Sequence, residues 1–177
     1  KAQSCLALSP PMMRLSKGPW MIRAYKLQDF LMPGQFEGFG YRKIYVQEQV
    51  EAAIEHGARQ VLFTGAGFDT LCMGLAPLYP DVQFIELDHP ATSAAKAKGI
   101  ALEGQPTNVI QLAADLGELP LSKVLSEDGR WDTSLPSVLV AEGLLQYLKD
   151  EEVRGLLVEG AACTSPGSRF VFTHAKP

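Results

Sequence analysis

Four stretches of this chain set glycines or carboxylates directly behind short apolar runs. The first, Gly65-Ala66-Gly67-Phe68-Asp69-Thr70, follows the run Gln60–Thr64. Glycine lets the backbone approach a ligand closely, and a helix that starts after such a turn offers free N–H groups. A dinucleotide-binding turn would carry a third glycine where Thr70 stands. Asp69 beside it would repel a pyrophosphate and suits a cationic ligand. A Gly-x-Gly is common for steric reasons alone, so the turn gains meaning only from its companions.

The second stretch is Phe84–Pro90, which holds Glu86 and Asp88. An acid roughly 20 residues beyond the turn is placed to accept hydrogen bonds from ribose hydroxyls. With a strand period of two, Glu86 and Asp88 share a face. Asp88, at the tip, is the ribose candidate, a ligand group whose removal should barely change fold stability. Glu86 is expected to buttress it or to bind a helix N-terminus. Solvated loop acids are the plainer reading, yet acids inside an apolar strand are costly without partners. The third stretch is Ala114-Asp115-Leu116. Its carboxylate can accept from the exocyclic amine of adenine while the next N–H serves a ring nitrogen, and helix capping is the competing role. The fourth places Glu142 between an apolar run and Gly143, where it can hold an ammonium or face a sulfonium. Packing alone does not explain a Gly turn and three carboxylates on one edge of successive strands.

The elements that must position these groups alternate in type. Strands are predicted at Gln60–Thr64, Val82–Leu87, Val109–Ala113, Val138–Ala141 and Arg169–Thr173. Helices are predicted at Tyr41–His56, Thr70–Leu78, Ala91–Leu102, Leu119–Leu125 and Asp150–Ala162, the last with Asp150 as N-cap. Strictly alternating strands and helices imply right-handed crossovers and a parallel sheet of about five strands covered on both faces. Such α/β sheets bind ligands beyond the carboxyl ends of their strands. Residues 1–40, punctuated by prolines and glycines, read as an irregular or helical cap with a short helix near Met21–Leu31. Residues 41–177 read as the ligand-binding domain.

Composition narrows the function classes. The chain has 177 residues and a net charge of -4, which gives no electrostatic reason to bind nucleic acid or an anionic membrane. No apolar run approaches the roughly 20 residues of a membrane span, and no secretory signal is legible, so a cytoplasmic location is expected. Three cysteines without a CxxC or Cys/His cluster point to inert thiols, with neither a zinc site nor a disulfide framework. His56, His89 and His174 stand in no triad context.

The four stretches, in order and spacing, resemble the leucine carboxyl methyltransferase family, which includes the phosphatase-tail methyltransferase and bacterial polyketide-type O-methyltransferases. The resemblance runs from about Tyr41 to the end. It implies a Rossmann-like class I methyltransferase fold and S-adenosyl-L-methionine as cofactor, with S-adenosyl-L-homocysteine as product. The acceptor it implies is a carboxylate or hydroxyl of a small molecule or a protein C-terminus. Arg42 matches the position of the arginine that takes the methionine carboxylate. Gly65, Ala66 and Gly67 would lie beneath the methionine moiety beside Asp69. Asp88 would take the ribose with His89 near it, Asp115 and Leu116 the adenine, and Glu142 the methionine end. Lys96 and Tyr147 also match the pattern and are assigned to structure; a loop role is the plainer reading of His89. Class I folds continue with a sixth and a seventh strand, which are expected to be missing here. The exposed edge of the fifth strand should therefore self-associate, be covered by N-terminal residues, or aggregate. Two rival readings remain: a non-catalytic cofactor- or partner-binding domain, and a nicotinamide-dependent oxidoreductase, disfavoured by Asp69 and Thr70.

Overall fold

The computed structural model describes Phe30 and residues 35–174. Helix α1 (Gln35–Glu55) leads into β1 (Gln60–Thr64), α2 (Leu71–Leu75), β2 (Gln83–Asp88), α3 (Pro90–Glu103) and β3 (Val109–Ala113). Then come α4 (Leu121–Asp128), β4 (Ser137–Ala141), a single 3-10 turn (Leu145–Tyr147), α5 (Asp150–Ala162) and β5 (Arg169–Phe172). The strands form one sheet in the order β3-β2-β1-β4-β5. All its pairings are parallel, as the alternation of elements predicts.

The central strand β1 and its neighbour β4 are buried along their whole length, and their continuous apolar runs reflect cover on both faces. On one face Val61, Phe63, Phe84 and Val140 pack with residues of α1, α2 and α3. On the other, Leu62, Ile85, Leu139 and Ala141 pack with residues of α4 and α5. Gln60, though polar, sits inside β1 because its amide is fully engaged. It donates to the Asp132 carbonyl (2.7 Å) and to Ser137 Oγ (3.1 Å) and accepts from the Asp132 N–H (2.8 Å). Gly160 lets α5 approach β4, since a Cβ there would lie 2.7 Å from the tip of Leu139.

Element boundaries differ from expectation where local chemistry intervenes. Helix α1 starts at Gln35 rather than Tyr41, running through Gly38 and Gly40. Helix α2 stops at Leu75 instead of Leu78, because Pro77 has no N–H to donate back into the helix, although Ala76 before it keeps helical backbone angles (φ -53°, ψ -42°). Helix α4 begins at Leu121, not Leu119, since a turn in which the Glu118 and Leu119 N–H groups both donate to the Asp115 carbonyl occupies that stretch. Helix α5 has the predicted bounds, but its N-cap is Lys149 and not Asp150. Glu152 accepts the Lys149 N–H at 2.8 Å, and Asp150, Glu151 and Glu152 together favour the positive end of the helix dipole. The short helix expected near Met21–Leu31 lies outside the described residues, apart from Phe30.

Candidate functional site

The Gly turn leaves the C-terminal end of β1 with two residues in the left-handed region, Gly65 at φ 64° and Gly67 at φ 49°. L-residues adopt such angles reluctantly, and these positions need glycine for that reason. The surroundings of the two differ. A Cβ on Gly65 would collide with Leu144 Cδ1 at 2.8 Å, so the Leu144 side chain lies directly on that glycine. A Cβ on Gly67 would meet only the Gly65 carbonyl at 4.0 Å, which leaves the Gly67 side of the turn open.

Asp88 closes the turn from the tip of β2. Its Oδ2 accepts the Gly67 N–H at 2.6 Å and its Oδ1 accepts the His89 N–H at 2.7 Å. Each oxygen retains a lone pair for a further donor. His89 is the N-cap of α3, with Nδ1 accepting the Ala91 N–H at 3.2 Å. In the neutral ring the proton is therefore on Nε2, which lies 3.7 Å from Asp115 Oδ2. Asp115 is no helix N-cap, since Pro120 takes that place. Its Oδ1 instead accepts the Gly117 N–H at 2.9 Å and tightens the loop after β3. Asp88, His89, Asp115 and Leu116 thus share one wall of a cavity of about 430 Å³, together with Gly65 and Leu144. That volume falls in the range of small-molecule sites.

On the other side of the turn lies a tetrad of charges. Glu142, with a side chain only 6% exposed, meets Arg42 Nε through Oε1 at 2.7 Å and Lys43 Nζ through Oε2 at 2.8 Å. Lys43 Nζ also touches Asp69 Oδ2 at 2.5 Å. The Arg42 guanidinium sits 5.0 Å above the Phe39 ring and against Gly143, held by cation–π contact and packing. The four groups come from the first helix and from the ends of β1 and β4, and their charges sum to zero.

The sequence-predicted residues therefore fall into two clusters joined by the turn. Asp88, His89, Asp115 and Leu116 line the cavity, and Arg42, Asp69 and Glu142 belong to the tetrad. Glu86 stands apart from both. Expected to support Asp88 or bind a helix N-terminus, it instead lies buried against Lys96 Nζ at 2.8 Å and accepts from Gln111 Nε2 at 3.2 Å. Those contacts answer the cost of an acid in an apolar strand. The neighbouring Cys72 thiol is pushed well up from its ordinary pKa, by burial first and by the Glu86 charge second, which agrees with an inert thiol. Sequence reading missed Lys43 and Leu144. An excess of acids over cations in the chosen residues was the available signal for the former. Among the described residues no group of His, Cys, Asp and Glu is arranged to hold a metal ion, and no helix is long and apolar enough to cross a membrane.

An all-parallel sheet of this order, with a glycine turn after β1 and acids at the ends of β2, β3 and β4, defines a Rossmann-like domain of the class I methyltransferase type. Residues 12–160 match the leucine carboxyl methyltransferase family. A protein of Parafrankia sp. (strain EAN1pec), provisionally named an S-adenosyl-L-methionine-dependent methyltransferase, is 31% identical over 137 residues, covering 76% of this chain and 43% of the relative. A Mycolicibacterium vanbaalenii relative of the same naming is 32% identical over 145 residues, covering 80% and 48%. The chain belongs to the leucine carboxyl methyltransferase family, and the stretch it shares with these two relatives covers less than half the length of each. The fold is shared with a structure from Thermobifida fusca described as a methyltransferase. Its TM-score is 0.65 at 20% identity, over 97% of this chain and 63% of that one.

Proposed function

We propose that this domain binds S-adenosyl-L-methionine and serves methyl transfer to an oxygen acceptor, the carboxylate or hydroxyl of a small molecule or a peptide C-terminus. The observation that carries the reading is the pairing of the two clusters across one glycine turn. A cavity walled by Asp88 and Asp115 suits a nucleoside, and a tetrad holding Asp69, Glu142 and Arg42 suits the ammonium and carboxylate of an amino acid. In this reading Arg42 takes the methionine carboxylate, and Asp69 and Glu142 take its ammonium. Gly65, Ala66 and Gly67 run beneath the chain between, on the open Gly67 side that Leu144 does not cover. Asp88 accepts from the ribose with His89 beside it, and Asp115 with the Leu116 N–H reads the adenine edge.

The bound cofactor supplies an activated methyl group on a sulfonium. The chain's own residues hold it in line with the acceptor and keep water away. A carboxylate acceptor is already ionised at neutral pH, so alignment suffices and no general base is required. We further propose a cytoplasmic protein without nucleic-acid or membrane partners, with the cap of residues 1–40 passing into the domain of residues 41–177 within α1, which runs unbroken over Gln35–Glu55. The outer edge of β5 pairs with nothing among the described residues, and we propose it as a self-association edge. Calorimetry with S-adenosylhomocysteine, S-adenosylmethionine and NAD, followed by a labelled-methyl transfer screen over organic acids, tests the central reading. Binding of NAD without binding of S-adenosylhomocysteine would overturn it.

A further inference from the structure

The carboxylates of Asp69 and Glu142 converge on a single ammonium, that of Lys43, at 2.5 Å and 2.8 Å. We propose that Lys43 is the resident occupant of an ammonium site, and that it sets the pocket's selectivity for ligands carrying an α-ammonium. Binding then exchanges the ligand's ammonium for that of Lys43. This rests on reading the domain as a binder of S-adenosyl cofactors.

Burial makes an occupant necessary. The Glu142 side chain is 6% exposed, and a buried carboxylate stripped of its counter-charge is strongly destabilising. Arg42 satisfies one of its oxygens, and the other needs a second cation. The two cations differ in how freely they can leave. Arg42, 30% exposed, rests on the Phe39 ring beside Gly143, whereas the Lys43 side chain is 44% exposed and has no such packing partner among the described residues. A lysine on a flexible stem can return its ammonium to water, and the incoming ammonium takes over its pairing with the buried Glu142, so the exchange strands no carboxylate. Its displacement leaves Asp69 and Glu142 around the incoming ammonium and Arg42 free to face the carboxylate of the same amino acid. A ligand without an ammonium cannot complete this exchange and leaves Lys43 in place. Lys43 thus acts as a competitor that only an ammonium-bearing ligand removes.

The test is calorimetry of S-adenosylhomocysteine and methylthioadenosine, the same thioether nucleoside without the amino-acid group. Both are titrated into the wild-type chain, Lys43→Met and Lys43→Gln. Met and Gln are good helix formers, and thermal unfolding checks that both variants fold. With the internal competitor gone, affinity for S-adenosylhomocysteine rises by about five-fold or more in both variants. Affinity for methylthioadenosine stays within about two-fold. In wild-type chain carrying nitrogen-labelled lysine, the Lys43 ammonium resonance moves on saturation with S-adenosylhomocysteine and stays in place with methylthioadenosine. Equal or weaker binding of S-adenosylhomocysteine by variants of a wild type that does bind it overturns this inference and leaves the S-adenosyl reading standing. An equal gain for methylthioadenosine overturns it too, because the ammonium would then be irrelevant. Failure of all three proteins to bind either ligand removes the S-adenosyl reading and this inference together.

Discussion

Replacing Asp88 by Ala tests the link between the ribose site and the glycine turn. The carboxylate accepts two backbone N–H groups, Gly67 at 2.6 Å and His89 at 2.7 Å. A hydrogen bond to a charged group contributes about 1.5–3 kcal/mol when partly buried. The Gly67 bond is of that kind. The His89 bond lies at the surface and falls at or below the low end of the range. Asp88→Ala should therefore cost about 2–3 kcal/mol of stability, contrary to a purely ligand-binding role with an untouched fold. The released Gly67 N–H loosens a turn held at positive φ, so cofactor binding loses both the ribose contacts and the shape of the floor. Affinity for S-adenosylhomocysteine should fall at least about ten-fold, equivalent to about 1.4 kcal/mol. Asp88→Asn keeps one acceptor oxygen but turns an amide toward a backbone donor, so it should fall between wild type and Asp88→Ala on both measures. Urea unfolding monitored by circular dichroism gives the stability, and calorimetry gives the affinity. An Asp88→Ala chain as stable as wild type would refute the structural part of this reasoning, and one with unchanged affinity would refute the ribose assignment.

Three further outcomes follow from buried or crowded groups. Lys96→Met strands the Glu86 carboxylate, which is 4% exposed, and should cost about 3–5 kcal/mol in denaturant unfolding. Adding Glu86→Leu should recover most of that loss, and a single variant that unfolds like wild type would count against the pair. Gly160→Val puts a branched side chain where Leu139 lies 2.7 Å from the Cβ position, pushing α5 off β4 at about 1–3 kcal/mol. An unchanged melting temperature would show that Leu139 yields freely. Hydrogen bonding from Ser122, whose N–H donates to the Glu159 carboxylate at 3.0 Å, holds the Glu159 carboxyl below its usual range. A depressed carboxyl stabilises the fold above its unfolded pKa, and the contribution disappears as pH falls through the folded value. The stability gap between wild type and Glu159→Gln should therefore close on acidification, and a gap independent of pH would exclude this cause.

The strand pattern was legible because each central strand carries a continuous apolar run, and only a parallel sheet covered on both faces buries such runs. The glycines and acids were legible too, since each follows such a run at a strand end. Boundaries were harder to read. Pro77 cutting α2 short is a sequence-local effect, but the turn that delays α4 depends on N–H groups folding back to the Asp115 carbonyl.

By itself, then, the sequence determined the α/β alternation, the edge of the sheet where chemistry collects, and the residue types gathered there, because each depends on periodicity and on near neighbours. Tertiary structure alone decided which charges meet. Lys43 and Glu142 are 99 residues apart, and Arg42 and Glu142 are 100 apart. No local rule pairs groups at such separations. Their meeting is set by how α1 lies across the ends of β1 and β4. The two carboxylates of β2 show the same division. Spacing puts Glu86 and Asp88 on one face, but the packing of α3 buries Glu86 against Lys96, while the glycine turn claims Asp88 for the Gly67 N–H. Ionic partners are chosen by desolvation and distance in the folded chain, and neither quantity exists until the chain has folded.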